Sequence, residues 1–177
     1  MPSRMARMQV MIQSELKFGK RLSEMMSSIN DFLSFSTSSD RFATCFYGEI
    51  DDIEKKMFYC NAGHNYPIMV RKNGSVENLQ KGGLILGAFP GEKYETGEIL
   101  FNPGDMLVMY TDGLSEAMDE KESEYGEERL TEHIRKIGMH PAEVACSMIV
   151  KNVKQFASGL NDMDDMTLVV VRAKDIL

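Results

Sequence analysis

Between Arg41 and Tyr110 the chain is a run of short, alternating apolar segments cut by turn signals, and helical periodicity brackets this run on both sides. No other feature constrains the fold as much. Strands that follow one another at hairpin distances build antiparallel sheet, whereas strict alternation of strand and helix builds parallel sheet. "RFATCFYGEI" and "KKMFYCNAG" alternate and are rich in aromatics, and with the acidic turn Asp51-Asp52 between them they predict a β-hairpin. "YPIMVRKNGSVENL" repeats the pattern around the turn signal Asn73-Gly74. "GGLILGAFPG" reads as a glycine-punctuated loop carrying a small apolar plug, and "YETGEILFNPGDMLVMYTDG" as two more strands joined at Asn102-Pro103-Gly104-Asp105.

Met5, Met8, Ile12 and Leu16 are spaced for one face of a helix over residues 4–17. A second helix follows Gly19, with Leu22, Met25 or Met26, Ile29, Phe32 and Leu33, and ends in the polar loop "SFSTSSD". Beyond the strands, "GEERLTEHIRKIG" and, after Pro141, "AEVACSMIVKNVKQFASG" return to helical spacing, and "MTLVVVRAK" closes the chain as a strand. The apolar positions Met166 and Leu168 to Val171 predict that this last strand sits in the middle of its sheet. The fold class expected is segregated α+β with mainly antiparallel sheet, and the 177 residues fit a single domain over 1–177.

A net charge of -7 argues against nucleic acid as a partner. No apolar run approaches the ~18 residues of a membrane span, and the basic N-terminus "MPSRMARMQVMIQSELKFGKR" lacks the apolar core of a signal peptide. Cys45, Cys60 and Cys146 have no metal-type spacing and read as reduced thiols of a cytoplasmic protein. Fifteen methionines and no tryptophan make for an adaptable core, and the N-terminal methionine stripe reads as core-facing. The acids that crowd the stretch from Asp112 to Glu132 read as a solvated loop and helix start.

Two places resist that bland description. In "GDMLVMYTDGLSEA" the apolar run Leu107–Tyr110 stops on Asp112 and Gly113, and in "NDMDDMT" Asp162, Asp164 and Asp165 stand just before the final strand. A carboxylate delivered at the end of a buried strand is costly unless it has a partner. If the two strands are antiparallel neighbours, the carboxylates meet at one end of the sheet, and an oxygen-only acidic cluster suits Mg2+ or Mn2+. Ordinary strand-end turns are the other reading, and spacing alone leaves both open. His64 in "NAGHN" is open in the same way, between a hydrogen-bonded structural group and a metal or catalytic contact. His133 and His140 have no suggestive neighbours, and the chain has no nucleophile elbow, Walker-type loop or compelling Ser-His-Asp order.

Taken in order, "FATCFYGEID", "NAGHNYP", "GGLILG", "PGDMLVMYTDGLSEA", "YGEERL" and "DDMTLVVVR" resemble the SpoIIE-like (RsbU-like) group of PPM-type metal-dependent serine/threonine phosphatases, over about residues 1–173. The resemblance implies an αββα sandwich with a two-ion Mn2+ or Mg2+ centre at one end of the sheets. Carried over by motif, Asp112 of "TDG" and Asp164 of "DDMT" are the catalytic metal ligands, and Asp165 orients the ligand or its water. Gly113 lets the backbone turn beside the ion. His64 falls where other branches of the family carry an acid that reaches an additional metal. The implied reaction is direct attack of water on a phosphoserine or phosphothreonine. The implied partner is a phosphorylated regulatory protein, such as an anti-sigma-factor antagonist.

The resemblance also implies an earlier half of the metal site, an aspartate on a strand and a second in a "DVSGKG"-like turn. Residues 1–40 hold Glu15, Glu24, Asp31 and Asp40, none of them in such a turn. The expectation is therefore an N-terminally shortened domain with weak or no activity as an isolated chain, and with an uncovered sheet edge that favours a homodimer. A non-catalytic module that uses the same scaffold to bind a partner, and a plain structural domain, are the alternatives.

Overall fold

A computed structural model describes residues 4–17, 19–36, 42–157 and 165–174. They form two compact units, each assembled from two separate stretches of chain: Met1–His64 with Gln80–Leu100, and Asn65–Leu79 with Phe101–Leu177. Asp162 and Asp164, and the end of the expected polar loop after the second helix, lie outside the described residues.

In the first unit, helices α1 (Arg4–Lys17) and α2 (Leu22–Ser36) accompany a four-stranded sheet of β1 (Cys45–Asp51), β2 (Lys56–Ala62), β5 (Gly82–Gly83) and β6 (Gly97–Leu100). The expected hairpin is present, with β1 and β2 paired from Cys45↔Ala62 to Asp51↔Lys56. Its turn is held by the Asp51 carboxylate, which accepts the amides of Ile53 and Glu54 at 2.9 Å each. The other side of β2 is shared by antiparallel β6 and, further along, by parallel β5. The core joins Leu22, Met25, Met26, Ile29 and Leu33 of α2 to Cys60, Ala62, Leu86 and Tyr94, and Met8, Met11 and Ile12 of α1 pack against it. The methionine stripe therefore faces the core where its side chains are described.

Buried Asn30 ties α2 to the loop after β5: its Nδ2 donates to the Phe89 carbonyl at 2.8 Å and its Oδ1 accepts the Gly87 amide at 2.9 Å. "GGLILGAFPG" is thus more than a loop, because Gly82 and Gly83 pair with Asn61 and Ala62. No side chain fits there, since a Cβ on Gly82 would lie 1.7 Å from the Asn61 carbonyl oxygen.

The second unit holds β3 (Ile68–Val70), β4 (Val76–Asn78), β7 (Met106–Tyr110) and β8 (Leu168–Arg172) in the order β4-β3-β7-β8, antiparallel throughout, with α3 (Asp112–Ser115), α4 (Glu127–Ile137) and α5 (Ala142–Phe156). Gly74, at φ 81, makes the β3–β4 turn, where the Asn73 side chain accepts the Ser75 amide at 2.9 Å. Leu130, Ile134 and Ile137 of α4 and Ala145, Ile149 and Val153 of α5 recur at helical spacing and are buried in one core with Ile68, Val70, Met106, Val108 and Tyr110. Each Leu, Ile, Val or Met side chain among them contributes about 1.5–3 kcal/mol through burial.

Two sequence expectations are corrected here. The strands on either side of Asn102–Asp105 are not hairpin partners: β6 pairs with β2 and β7 with β3 and β8, so this turn carries the chain from one sheet to the other. Among the described residues the final strand is not central either: β8 has β7 as its one neighbour, and Val169 is 46% exposed. Leu168 and Val170 alone face the helices, so the continuous apolar run reflects one buried face plus β-branched strand preference. The fold class is α+β with mainly antiparallel sheet, as expected, and the two-residue β2–β5 pair is its parallel exception.

Candidate metal centre

β7 is buried along most of its length, with Met106, Leu107, Val108 and Tyr110 all inaccessible. It stops at Thr111, whose extended backbone (φ -92, ψ 160) precedes the single helical turn α3. Leu114 of that turn is fully buried and joins the α4–α5 core. Between these two anchors Asp112 is exposed at the sheet end. Its Oδ1 accepts the Gly113 amide at 2.9 Å, and its carbonyl accepts the Glu116 amide at 2.8 Å. Asp112 is therefore a solvent-facing carboxylate on a rigid base.

β8 enters from the same end. The register Tyr110↔Leu168 continues one step outward, where the Thr111 amide donates to the Thr167 carbonyl at 3.1 Å. The Thr111 hydroxyl accepts the Thr167 amide at 3.0 Å and donates to the Asp165 carbonyl at 3.4 Å. Asp112 and exposed Asp165 thus leave the sheet at one end, on adjacent antiparallel strands, the condition that sequence reasoning set for the two acidic clusters to meet. Asp164 lies outside the described residues.

Gly113 differs from expectation. It has no left-handed backbone; it is buried inside α3, so the chain turns beside Asp112 by helix formation and not by glycine's conformational freedom. His64 belongs to the first unit, at the end of β2. The Asn61 side chain clamps its loop, accepting the His64 amide at 2.8 Å and donating to the His64 carbonyl at 3.0 Å, and the Thr44 hydroxyl lies 3.2 Å from Nδ1. These contacts give His64 a structural place in the "NAGHN" turn. Sequence reading missed both Asn61 and Thr111. A small polar residue at the end of a buried strand is the signal for each.

The surroundings of Asp112 are acidic. Burial, with the Glu127 carboxylate adding to it, pushes the Tyr110 phenol up, and Glu116, Glu120, Glu122, Glu124, Glu127 and Glu128 are exposed, the solvated loop and helix start that composition predicts. Asp112 and Asp165 offer oxygen donors only, the kind that Mg2+ and Mn2+ take, and such ions retain several waters when one or two carboxylates hold them. The donors fit a hard divalent cation in kind. Their number is small: among the described residues no three His, Cys, Asp or Glu side chains come together. No described helix is long and apolar enough to cross a membrane.

A family model described as stage II sporulation protein E (SpoIIE) matches residues 3–174. Protein IcfG of Synechocystis sp. (strain ATCC 27184 / PCC 6803 / Kazusa) is 28% identical over 130 residues, covering 73% of this chain and 20% of IcfG. Phosphoserine phosphatase RsbU of Bacillus subtilis (strain 168) is 27% identical over 156 residues, covering 86% of this chain and 45% of RsbU. The chain thus spans less than half the length of either curated relative. Among solved structures, the RsbU and RsbW domains of Rv1364c from Mycobacterium tuberculosis superpose with TM-score 0.78 at 21% identity, over 96% of this chain and 47% of that one. The phosphatase domain of the cell fate determinant SpoIIE from Bacillus subtilis, presoaked with Mn, gives TM-score 0.67 at 19% identity, over all of this chain and 77% of that one. At these identities the structural likeness speaks for the fold, which is that of PP2C-type phosphatase domains.

Proposed function

The chain belongs to the SpoIIE family, and on that premise we propose that it is a metal-dependent phosphoserine/phosphothreonine phosphatase domain with Asp112 and Asp164 as metal ligands. Asp165 orients them. The observation that carries the reading is the common exit of Asp112 and Asp165 from paired strands β7 and β8, with both residues exposed. Mn2+ or Mg2+ is the cofactor that this donor set and the Mn-soaked SpoIIE domain support. When bound, such an ion supplies Lewis-acid stabilisation of a phosphoryl group and an activated water. The chain's own part is to hold the Asp112 carboxylate fixed through the strand on one side and buried Leu114 on the other. No nucleophilic serine or cysteine is needed.

The substrate class is a phosphorylated regulatory protein of the anti-sigma-factor antagonist type, supported by the likeness to RsbU and to a chain that carries RsbU and RsbW domains. The second reading is a non-catalytic module that uses the same scaffold to bind a phosphoprotein. Among the described residues β8 pairs on one side only, and this open edge supports a homodimer formed by strand addition.

Titration with Mn2+, followed by thermal unfolding and by phosphopeptide hydrolysis, tests the proposal on the wild type and on Asp112→Ala. Stabilisation by Mn2+ that Asp112→Ala abolishes is the expected result, about 2.7 kcal/mol at a hundredfold excess over Kd. Stabilisation indifferent to Asp112 would overturn the metal site and leave the binding module. Vigorous Asp112-dependent hydrolysis would retain the site and overturn the expectation of weak activity.

A further inference from the structure

We infer that Thr111 is a positioning residue of the metal site, a clasp whose hydroxyl sets the spacing between Asp112 and the Asp165 backbone. The inference rests on the metal-site reading above. Thr111 is joined covalently to Asp112 and by hydrogen bonds to the opposite strand: its Oγ1 accepts the Thr167 amide at 3.0 Å and donates to the Asp165 carbonyl at 3.4 Å. A third bond, from the Thr111 amide to the Thr167 carbonyl at 3.1 Å, is ordinary ladder pairing that any residue would make. The hydroxyl bonds are different. They lie beyond the last paired residues Tyr110 and Leu168, where a sheet end frays, and they catch the strand by both its N–H and its C=O. Met166 packs against the core between them. The clasp therefore restrains the backbone of Asp165 against the residue that precedes Asp112.

The hydroxyl is not required for the fold in the way a buried group would be. Thr111 is half-exposed and Thr167 exposed, so water can replace the lost bonds in the apo protein. Its value lies in preorganisation. Carboxylates held at a set separation bind an ion without first being ordered, and outer partners of metal ligands are worth 10- to 100-fold in affinity.

The test measures Mn2+ binding directly, from the electron paramagnetic resonance signal of the free ion, on the whole chain as wild type, Thr111→Val, Thr111→Ser and Asp112→Ala. Valine keeps the shape and the ladder bond and loses the clasp. It is expected to raise the Mn2+ dissociation constant by roughly 10-fold or more with little change in apo melting temperature, while serine, which keeps Oγ, binds within about threefold of wild type. Thr111→Val binding Mn2+ as tightly as wild type, with Asp112→Ala still impaired, would overturn the clasp and leave the metal site intact. Wild-type binding that Asp112→Ala does not weaken, or no binding at all, would overturn both. If Thr111→Val fails to fold, Thr111→Ala is the second hydroxyl-free variant, and failure of both while Thr111→Ser folds would make the hydroxyl a folding element and overturn the inference.

Discussion

Arg71 Nη1 donates to the buried Asp105 carboxylate at 2.8 Å, at the opposite end of β7 from Asp112. The same carboxylate accepts the backbone amides of Lys72 and Asn102 at 3.0 Å each, so it fastens the β3–β4 hairpin to the turn that leads into β7. A single strand thus begins on a carboxylate consumed by structure and ends on one left open. Removing one partner of such a buried pair strands the other charge. Arg71→Ala is expected to cost about 3 kcal/mol in urea unfolding, and Asp105→Asn somewhat less, since the amide oxygen still accepts one of the bonds.

Asn30 anchors the 84–94 loop. Asn30→Ala leaves the Phe89 carbonyl and the Gly87 amide without their partner and is expected to destabilise by about 1–3 kcal/mol. Amide hydrogen exchange should localise the effect, with Gly87 exchanging faster and the second unit's α4 unchanged.

Glycines separate into two kinds under substitution. Gly82→Ala drives a methyl group into the Asn61 backbone and is expected to cost about 3 kcal/mol or prevent folding. Gly74→Ala meets open space and bears only the strain of φ 81, about 1 kcal/mol. Denaturation midpoints of the two variants check the contrast.

Stability should fall on the alkaline side. Burial pushes the Cys60 thiol up to about 12 and the Cys45 thiol to about 11, and raises the Tyr94 and Tyr110 phenols. An acid whose folded pKa exceeds its unfolded value stabilises fully below the unfolded pKa, near 8.5 for a thiol, and loses that contribution as pH rises towards the folded value. Melting temperature should therefore hold to about pH 8 and decline through pH 9–11, and Cys60→Ala should flatten the decline.

Periodicity carried much of this fold. Both N-terminal helices, the β1–β2 and β3–β4 hairpins, α4 and α5 follow from local spacing and turn chemistry. What spacing does not encode is the partner. Gly82–Gly83 is too short to show a period, the β6–β7 turn resembles a hairpin turn although its strands diverge, and β8 looks central because a β-branched run reads alike at an edge. In the candidate site, Asp112 and Asp165 were legible as strand ends, and their shared sheet end was legible only as a condition. The Thr111 hydroxyl was not, because its two partners are more than fifty residues away.

Each unit draws on two stretches of sequence, and the chain passes between them three times, after His64, after Leu79 and after Leu100. No single cut can therefore release either one as a contiguous fragment. A protease nick at the exposed β3–β4 turn would leave pieces of both units on either side of the break. A gene fusion that borrowed residues 101–177 alone would take β7 without the β3 that pairs with it. The smallest part of this protein that can be transplanted is the interleaved whole.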